Sequence, residues 1–253
     1  MRNTKAIILF TQQVRFSRGD PNEPFAAIAW DDIDVLFSAM LNDLVEQIIK
    51  ITNSDIFISV NSSDLQDDFL VSFQRKVNVL DHSSLSFPQR ISSAINTVFE
   101  NDYHRLILYL QHYPLLGIEY FNSVFNQLNF EEECLVLGAS KNGRASLLGV
   151  KSNCSDWFKT VQSETTDKSD TSLIETDYIL KKACGNEILI FNTPTIPAVD
   201  NGFDLDKLKR NIEHSMTVEG FFAKHTYEMF KYLDKKYLNR KRKDEAWDTK
   251  RHI

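Results

Sequence analysis

Gly138-Ala-Ser-Lys-Asn-Gly-Arg-Ala-Ser-Leu-Leu-Gly-Val150 follows the apolar run Cys134-Leu-Val-Leu137 and closes on another, Leu147-Leu-Gly-Val150. Two apolar runs around a short polar interval read as strand, tight loop and strand. Gly138, Gly143 and Gly149 mark points where a backbone takes a positive φ or comes close to another group. The interval carries two cations, Lys141 and Arg144, and the amide Asn142, but no acidic residue. Asn142-Gly143 is also a favoured hairpin pair, so turn geometry alone can account for it.

Upstream, the pattern alternates. Lys5-Ala-Ile-Ile-Leu-Phe10 is an unbroken apolar run, as in a central parallel strand buried on both faces. From Trp30 to Ile51, Ile33, Leu36, Phe37, Met40, Leu41, Leu44, Val45, Ile48 and Ile49 recur at helical spacing, with Asp31 and Asp32 suited to the N-terminal dipole. Asp55–Val60 reads as a strand, Leu65–Lys76 as a helix, Val77–Leu80 as a short strand and Pro88–Glu100 as a helix. Arg105–Leu110 is the next strand and Gly117–Asn129 the next helix. Strands and helices that alternate in this way build a mainly parallel sheet covered on both sides. Ligands then bind beyond the carboxyl ends of the strands, which singles out the loops after Phe10, Leu80, Leu110 and Leu137.

Downstream, residues 162–172 are rich in Ser, Thr and Asp and read as a mobile loop. A helix from about Leu173 to Ala183 and a strand Glu187–Phe191 follow. From Asp204 the chain is helical and amphipathic, with Phe221, Phe222, Tyr227, Phe230, Tyr232 and Leu233 expected to pack on the domain or on a second subunit.

A composition with 42% hydrophobic residues in 253 allows a large core. No apolar run approaches the roughly 20 residues that span a bilayer, and the N-terminus lacks the order of a signal peptide, so a cytoplasmic location without a membrane span is expected. Cys134, Cys154 and Cys184 form neither a CxxC pair nor an even disulfide framework. The net charge of −6 argues against a chain whose whole surface binds nucleic acid. The charge is uneven, however: residues 231–253 hold nine Lys and Arg against four Asp and Glu. That basic tail reads as a solvated helix end, a dock for an acidic neighbouring subunit, or an RNA contact. Glycine-rich dinucleotide and Walker loops are absent after the first strand, and His82, Ser83 and Ser84 have no nucleophile elbow around them.

The order of these segments, from about residue 5 to 210, resembles the small single-domain bacterial GT-A-like proteins related to nucleotide-diphospho-sugar transferases. In that family a strand ending in glycine and aspartate is followed by proline and leucine. Here Leu108–Leu116 keeps Pro114 and Leu116 and places His112 at the aspartate. The family's next loop is echoed by Gly138, Gly143, Leu147 and Gly149, with Asn142 in place of an aspartate, Arg144 in place of a glycine and Ala145 in place of a tyrosine. Arg90, in Phe87-Pro-Gln-Arg-Ile91, is the best-kept polar position, and the family's closing aspartates are echoed by Asp200 and Asp204. The basic loop after the first strand is thinly kept, with Gln12, Arg15 and Arg18.

The resemblance implies a single three-layer α/β/α domain of GT-A type over residues 1–210. Its sheet is mixed and mostly parallel, of about seven strands with one reversed near Leu147–Val150, and a helical extension with a basic tail occupies 211–253. It also implies a nucleotide-diphospho-sugar and an acceptor as substrates. A divalent metal is expected of the family, but an amide and an imidazole stand where its carboxylates would be, so no metal ligand set is assigned. On this reading His112 and Asp200 are the candidate catalytic residues. Gln12, Arg15, Arg18, Arg90, Lys141, Asn142, Gly143 and Arg144 would contact nucleotide or phosphate.

Each residue has a plainer alternative. His112 can be a structural loop histidine, Arg90 a solvated or paired arginine, Lys141 and Arg144 a hairpin tip, and Asp200 and Asp204 helix caps. Two functions stay open: a glycosyltransferase-like enzyme, and a catalytically inactive module that keeps the fold for binding. A homo-oligomer through the C-terminal helices is a further expectation.

Overall fold

The computed structural model describes residues 4–11, 25–26, 28–60, 77–82, 84–111, 113–159, 174–215 and 223–251, with side chains to Tyr237. Gln12, Arg15, Arg18, the helix expected at Leu65–Lys76, Ser83, His112, the segment 162–172, Phe221 and Phe222 lie outside the described residues.

Seven strands form one sheet. They are β1 (Lys5–Phe10), β2 (Ser54–Val60), β3 (Asn78–Asp81), β4 (Arg105–Tyr109), β5 (Cys134–Ala139), β6 (Ala145–Val150) and β7 (Leu189–Asn192), in the order β3-β2-β1-β4-β6-β5-β7. All neighbours pair in parallel except β6, which runs antiparallel to both β4 and β5. The helices among the described residues are α1 (Trp30–Ile48), α2 (Phe87–Glu100), α3 (Ile118–Gln127), α4 (Asp156–Lys159), α5 (Thr176–Gly185), α6 (Gly202–Ser215) and α7 (Lys224–Arg251).

The period-two alternation of the strands divides the core into two layers. Ile7 and Leu9 of β1 face one cluster, with Leu36, Met40 and Leu44 of α1, Phe121, Val124 and Phe125 of α3, Leu205 and Leu208 of α6 and Phe230 and Leu233 of α7. Ala6, Ile8 and Phe10 face the other, with Ile91, Ile95 and Val98 of α2, Phe158 of α4 and Ile179 of α5. The fold is therefore helix, sheet, helix, with β1 buried on both faces as its composition requires.

Three local devices fix these elements. The Ser86 backbone N–H donates to the Gln89 side-chain oxygen at 3.0 Å and Pro88 sits in the first turn, which together start α2. Gly149 lets α3 approach β6, because a Cβ there would stand 2.8 Å from Val124 Cγ1. Gly143 has φ of 76°, which closes the β5–β6 hairpin in a conformation that side-chain-bearing residues resist. Gly149 thus serves helix packing and Gly143 the turn.

Helix α6 runs through residue 210, the expected boundary of the extension, and α7 then packs along α1. Phe230 and Leu233 are each 1% exposed, and Lys236 holds Asp32 through both carboxylate oxygens at 2.7 and 2.8 Å. Tyr232 points outward. Among the described residues no helix is long and apolar enough to cross a membrane.

Candidate functional site

In this strand order the chain turns back between β1 and β4, so a crevice opens beyond their carboxyl ends. Polar groups collect along that edge in two clusters, one over β1, β2 and β3 and one over β5, β6 and β7. Three strand spacings separate β1 from β5, about 14 Å.

The first cluster centres on Arg90, which is 3% exposed. Helix α2 carries its guanidinium beneath the strand ends, where it donates to the Ser59 carbonyl at 2.6 Å, the Ser59 hydroxyl at 3.3 Å and the Thr11 hydroxyl at 3.4 Å. Its carbon lies 6.0 Å from the centres of both the Phe10 and Phe87 rings. Arg90 thus ties the ends of β1 and β2 together as the floor of the crevice. His82, directly after β3, has Nδ1 3.0 Å from the Ser59 hydroxyl.

Burial, and then the Arg90 charge, lower the His82 pKa below its usual 6.5, against the pull of Asp81. The folded chain therefore declines a proton that the unfolded chain accepts, so stability is present above pH 6.5 and falls as the pH drops below it. Thermal melts should show wild type losing more stability than His82→Asn between pH 7 and pH 5. Equal losses would remove His82 from the account.

The second cluster is built on the β5–β6 hairpin. The Ser140 N–H donates to the Arg144 carbonyl at 2.8 Å, and the Gly143 N–H to the Ser140 carbonyl at 3.2 Å. The start of α5 braces the outer side: Thr176 N–H donates to the Gly143 carbonyl at 2.9 Å and Ala145 N–H to the Ile174 carbonyl at 2.8 Å. The segment after β7 braces the other side, with Ile196 N–H donating to the Ala139 carbonyl at 3.0 Å.

That segment delivers Asp200. Its Oδ2 accepts from the Asn142 amide at 2.5 Å and lies 3.1 Å from Arg144 Nη1. The Arg144 and Asp200 side chains are 25% and 23% exposed. Asp204 in turn accepts the Asp200 backbone N–H at 3.1 Å, and its own N–H donates to Asn201 Oδ1 at 2.9 Å, so both aspartates also organise the start of α6. Of the expected site residues that are described, the fold brings Asn142, Gly143, Arg144 and Asp200 together, sets Lys141 beside them and places Arg90 in the other cluster.

Sequence reasoning did not single out Thr11, Ser59, Tyr113, Lys207 or Asn211. A cavity of about 80 Å³ adjoins the hairpin, lined by Lys141, Asn142, Tyr113 and one face of α6. Asp204, Lys207, Leu208 and Asn211 stand at helical spacing on that face, a signal the sequence did contain. Away from this edge, Asp43, Glu46 and His225 are the one group of three metal-type side chains among the described residues. Asp43 is already engaged as the cap of α7, accepting the His225 and Thr226 backbone N–H groups and the Thr226 hydroxyl. The cysteines are free, and burial pushes the Cys154 thiol up to about 12.

No family model and no curated protein matches the chain. Solved structures do match. A candidate nucleotide-diphospho-sugar transferase from Desulfovibrio desulfuricans superposes with a TM-score of 0.69 at 18% identity, over 92% of this chain and 96% of that one. A cytidylyltransferase from Leptospira borgpetersenii gives 0.54 at 12% identity over 93% and 95%. A nucleotidyl transferase from Methanothermobacter gives 0.51 at 6% over 84% and 99%. At such identities the likeness is one of fold. The chain has the fold of the nucleotide-diphospho-sugar transferases.

Proposed function

We propose that the chain binds a nucleotide-diphospho-sugar along the carboxyl edge of the sheet and transfers the sugar to an acceptor without a divalent metal. The observation that carries this reading is the convergence of Asn142 and Arg144 on one oxygen of Asp200. Mg²⁺ takes about six oxygen ligands in a near-octahedral set. At this point the described residues offer Asp200, already facing a guanidinium, and Asp204, already accepting a backbone N–H. That donor set does not fit a hard dication. It suits a site where arginine meets the diphosphate, because the salt bridge to Asp200 uses Nη1 and a guanidinium has further donors.

In the transfer, the acceptor hydroxyl oxygen attacks the anomeric carbon and the bond from that carbon to the β-phosphate oxygen breaks. The nucleoside diphosphate leaves with the electron pair, and the hydroxyl proton passes to a base. Arg144 offsets the charge that grows on the leaving phosphate. Asp200, whose Oδ1 accepts no hydrogen bond among the described residues, is the proposed acceptor of that proton, with His112 as the other candidate. Arg90 keeps the crevice floor rigid, and Gln12, Arg15 and Arg18 remain the proposed contacts on the nucleotide side.

Titration with UDP-, GDP-, ADP-, CDP- and TDP-sugars tests this. Wild type is expected to bind at least one, and Arg144→Met to bind it about 10- to 100-fold more weakly, the worth of a charge-assisted hydrogen bond. Equal affinities would take Arg144 out of the site. A second reading, an inactive binding module, is favoured by the same network: Asn142, Arg144 and Asp200 satisfy one another. It predicts no binding of any sugar nucleotide by wild type.

A further inference from the structure

Lys141 and Lys207 come from different parts of the fold, the β5–β6 hairpin and the second turn of α6, yet both line the cavity of about 80 Å³ beside Asp200. Among the described residues neither lysine makes an ion pair. Like charges brought to one cavity repel, and a fold that gathers them without a carboxylate bridge leaves an anion-shaped gap in the electrostatics. The remaining polar lining adds groups that can donate as well as accept. Asn142 and Asn211 contribute amides, and Tyr113 contributes a phenol that accepts from Asn211 Nδ2 at 3.4 Å. Burial raises the Tyr113 pKa, so the phenol stays protonated and keeps its own hydrogen to donate. Asp204 is the one carboxylate in the lining, and its Oδ2 is turned to the Asp200 backbone N–H. Leu208, 1% exposed, together with Pro197 and Ala198, supplies apolar wall.

A cavity of about 80 Å³ has room for a compact oxyanion among these groups. Two lysines with separate single donors among the lining suit a doubly charged group that takes hydrogen bonds in several directions. Lysine binds phosphate as a point charge, without the fork by which arginine grips a planar group.

We infer that this cavity seats the phosphate of a phosphomonoester, the second substrate of the transfer, with Lys141 and Lys207 as its counter-ions. The assignment to a second substrate rests on the transferase reading above. The cavity's taste for a phosphomonoester does not.

The full chain is titrated with glycerol 3-phosphate, glycerate and glycerol, first with no nucleotide present. Saturable binding of glycerol 3-phosphate is expected, with glycerate at least tenfold weaker and glycerol not bound. Lys207→Met, a change at an exposed helix position, should weaken glycerol 3-phosphate at least tenfold while its melting temperature stays within a few degrees of wild type. Lys207→Arg should recover part of the affinity. No saturable binding by wild type, undiminished binding by Lys207→Met, or a preference for glycerate would each overturn the assignment. A second titration, with the tightest-binding sugar nucleotide already at saturation, should leave the glycerol 3-phosphate affinity unchanged or improved. Competition would show that the cavity belongs to the diphosphate and overturn the second-substrate role. If no sugar nucleotide binds while glycerol 3-phosphate does, the transferase reading fails and the phosphomonoester site stands.

Discussion

A chain ended at residue 210 is expected to lose cooperative folding. The cut removes the end of α6 and all of α7, and with them Ile212, Phe230 and Leu233, each no more than 1% exposed. Burial of a phenylalanine and a leucine is worth roughly 5–10 kcal/mol together, against a total stability of about 5–15 kcal/mol. Helix α1, which packs along α7, and the apolar cluster that Phe230 and Leu233 complete would both lose that cover. Polar ties go as well: Lys209 to Asp234 at 2.5 Å, Lys236 to Asp32, and Ala29 N–H to the Tyr237 hydroxyl at 2.9 Å. The shortened chain should aggregate or melt without a sharp transition, read by light scattering and calorimetry. A soluble product that melts as sharply and as high as the full chain would mean that α7 is dispensable to the domain.

Asp43→Ala should be the most damaging single substitution on that face. The carboxylate is 1% exposed and accepts three hydrogen bonds at 2.9, 2.7 and 2.6 Å from the first residues of α7. Alanine leaves the buried Thr226 N–H and hydroxyl without their acceptor and removes a helix cap at the same time. The expected cost is about 3–5 kcal/mol, the sum of a lost cap and two orphaned donors. Asp43→Asn, which keeps one acceptor oxygen, should lose less. Urea unfolding measures both, and a loss under about 1 kcal/mol for Asp43→Ala would mean the cap contributes little.

The fold was legible because its signals are local. The all-apolar run of β1 required burial on both faces, and the helical spacing from Ile33 to Ile48 named the buried face of α1 residue by residue. The reversed strand was legible from the tight Asn142-Gly143 loop, which brings the chain straight back along β5. Shifts of one to three residues at the start of β3, α5 and β7 reflect edge and end positions, where burial no longer fixes the pattern.

The site was legible only in part. Asn142, Arg144 and Asp200 could be singled out one by one, but nothing in the sequence says that residues 58 positions apart share a carboxylate oxygen. Arg90 read as a phosphate contact or, more plainly, as a solvated or paired arginine at a helix start. Its burial follows from the position of α2 beneath the ends of β1 and β2, a tertiary fact. Lys207 and Asn211 were not singled out, because only the docking of α6 against the hairpin makes them the wall of a cavity. The aromatic residues of the last helix also divide by tertiary context: Phe230 and Leu233 turn into the domain while Tyr232 stays outside.

In the proposed transferase a guanidinium, and no metal ion, meets the diphosphate. Calorimetric titration of the purified chain with the five nucleotide-sugars, each in Mn²⁺ and each in chelator, tests it most directly. Binding of at least one with the same affinity in both conditions is expected. Binding that appears only with Mn²⁺ would contradict it, because the Asp200 carboxylate would then have to leave Arg144 and hold a cation instead.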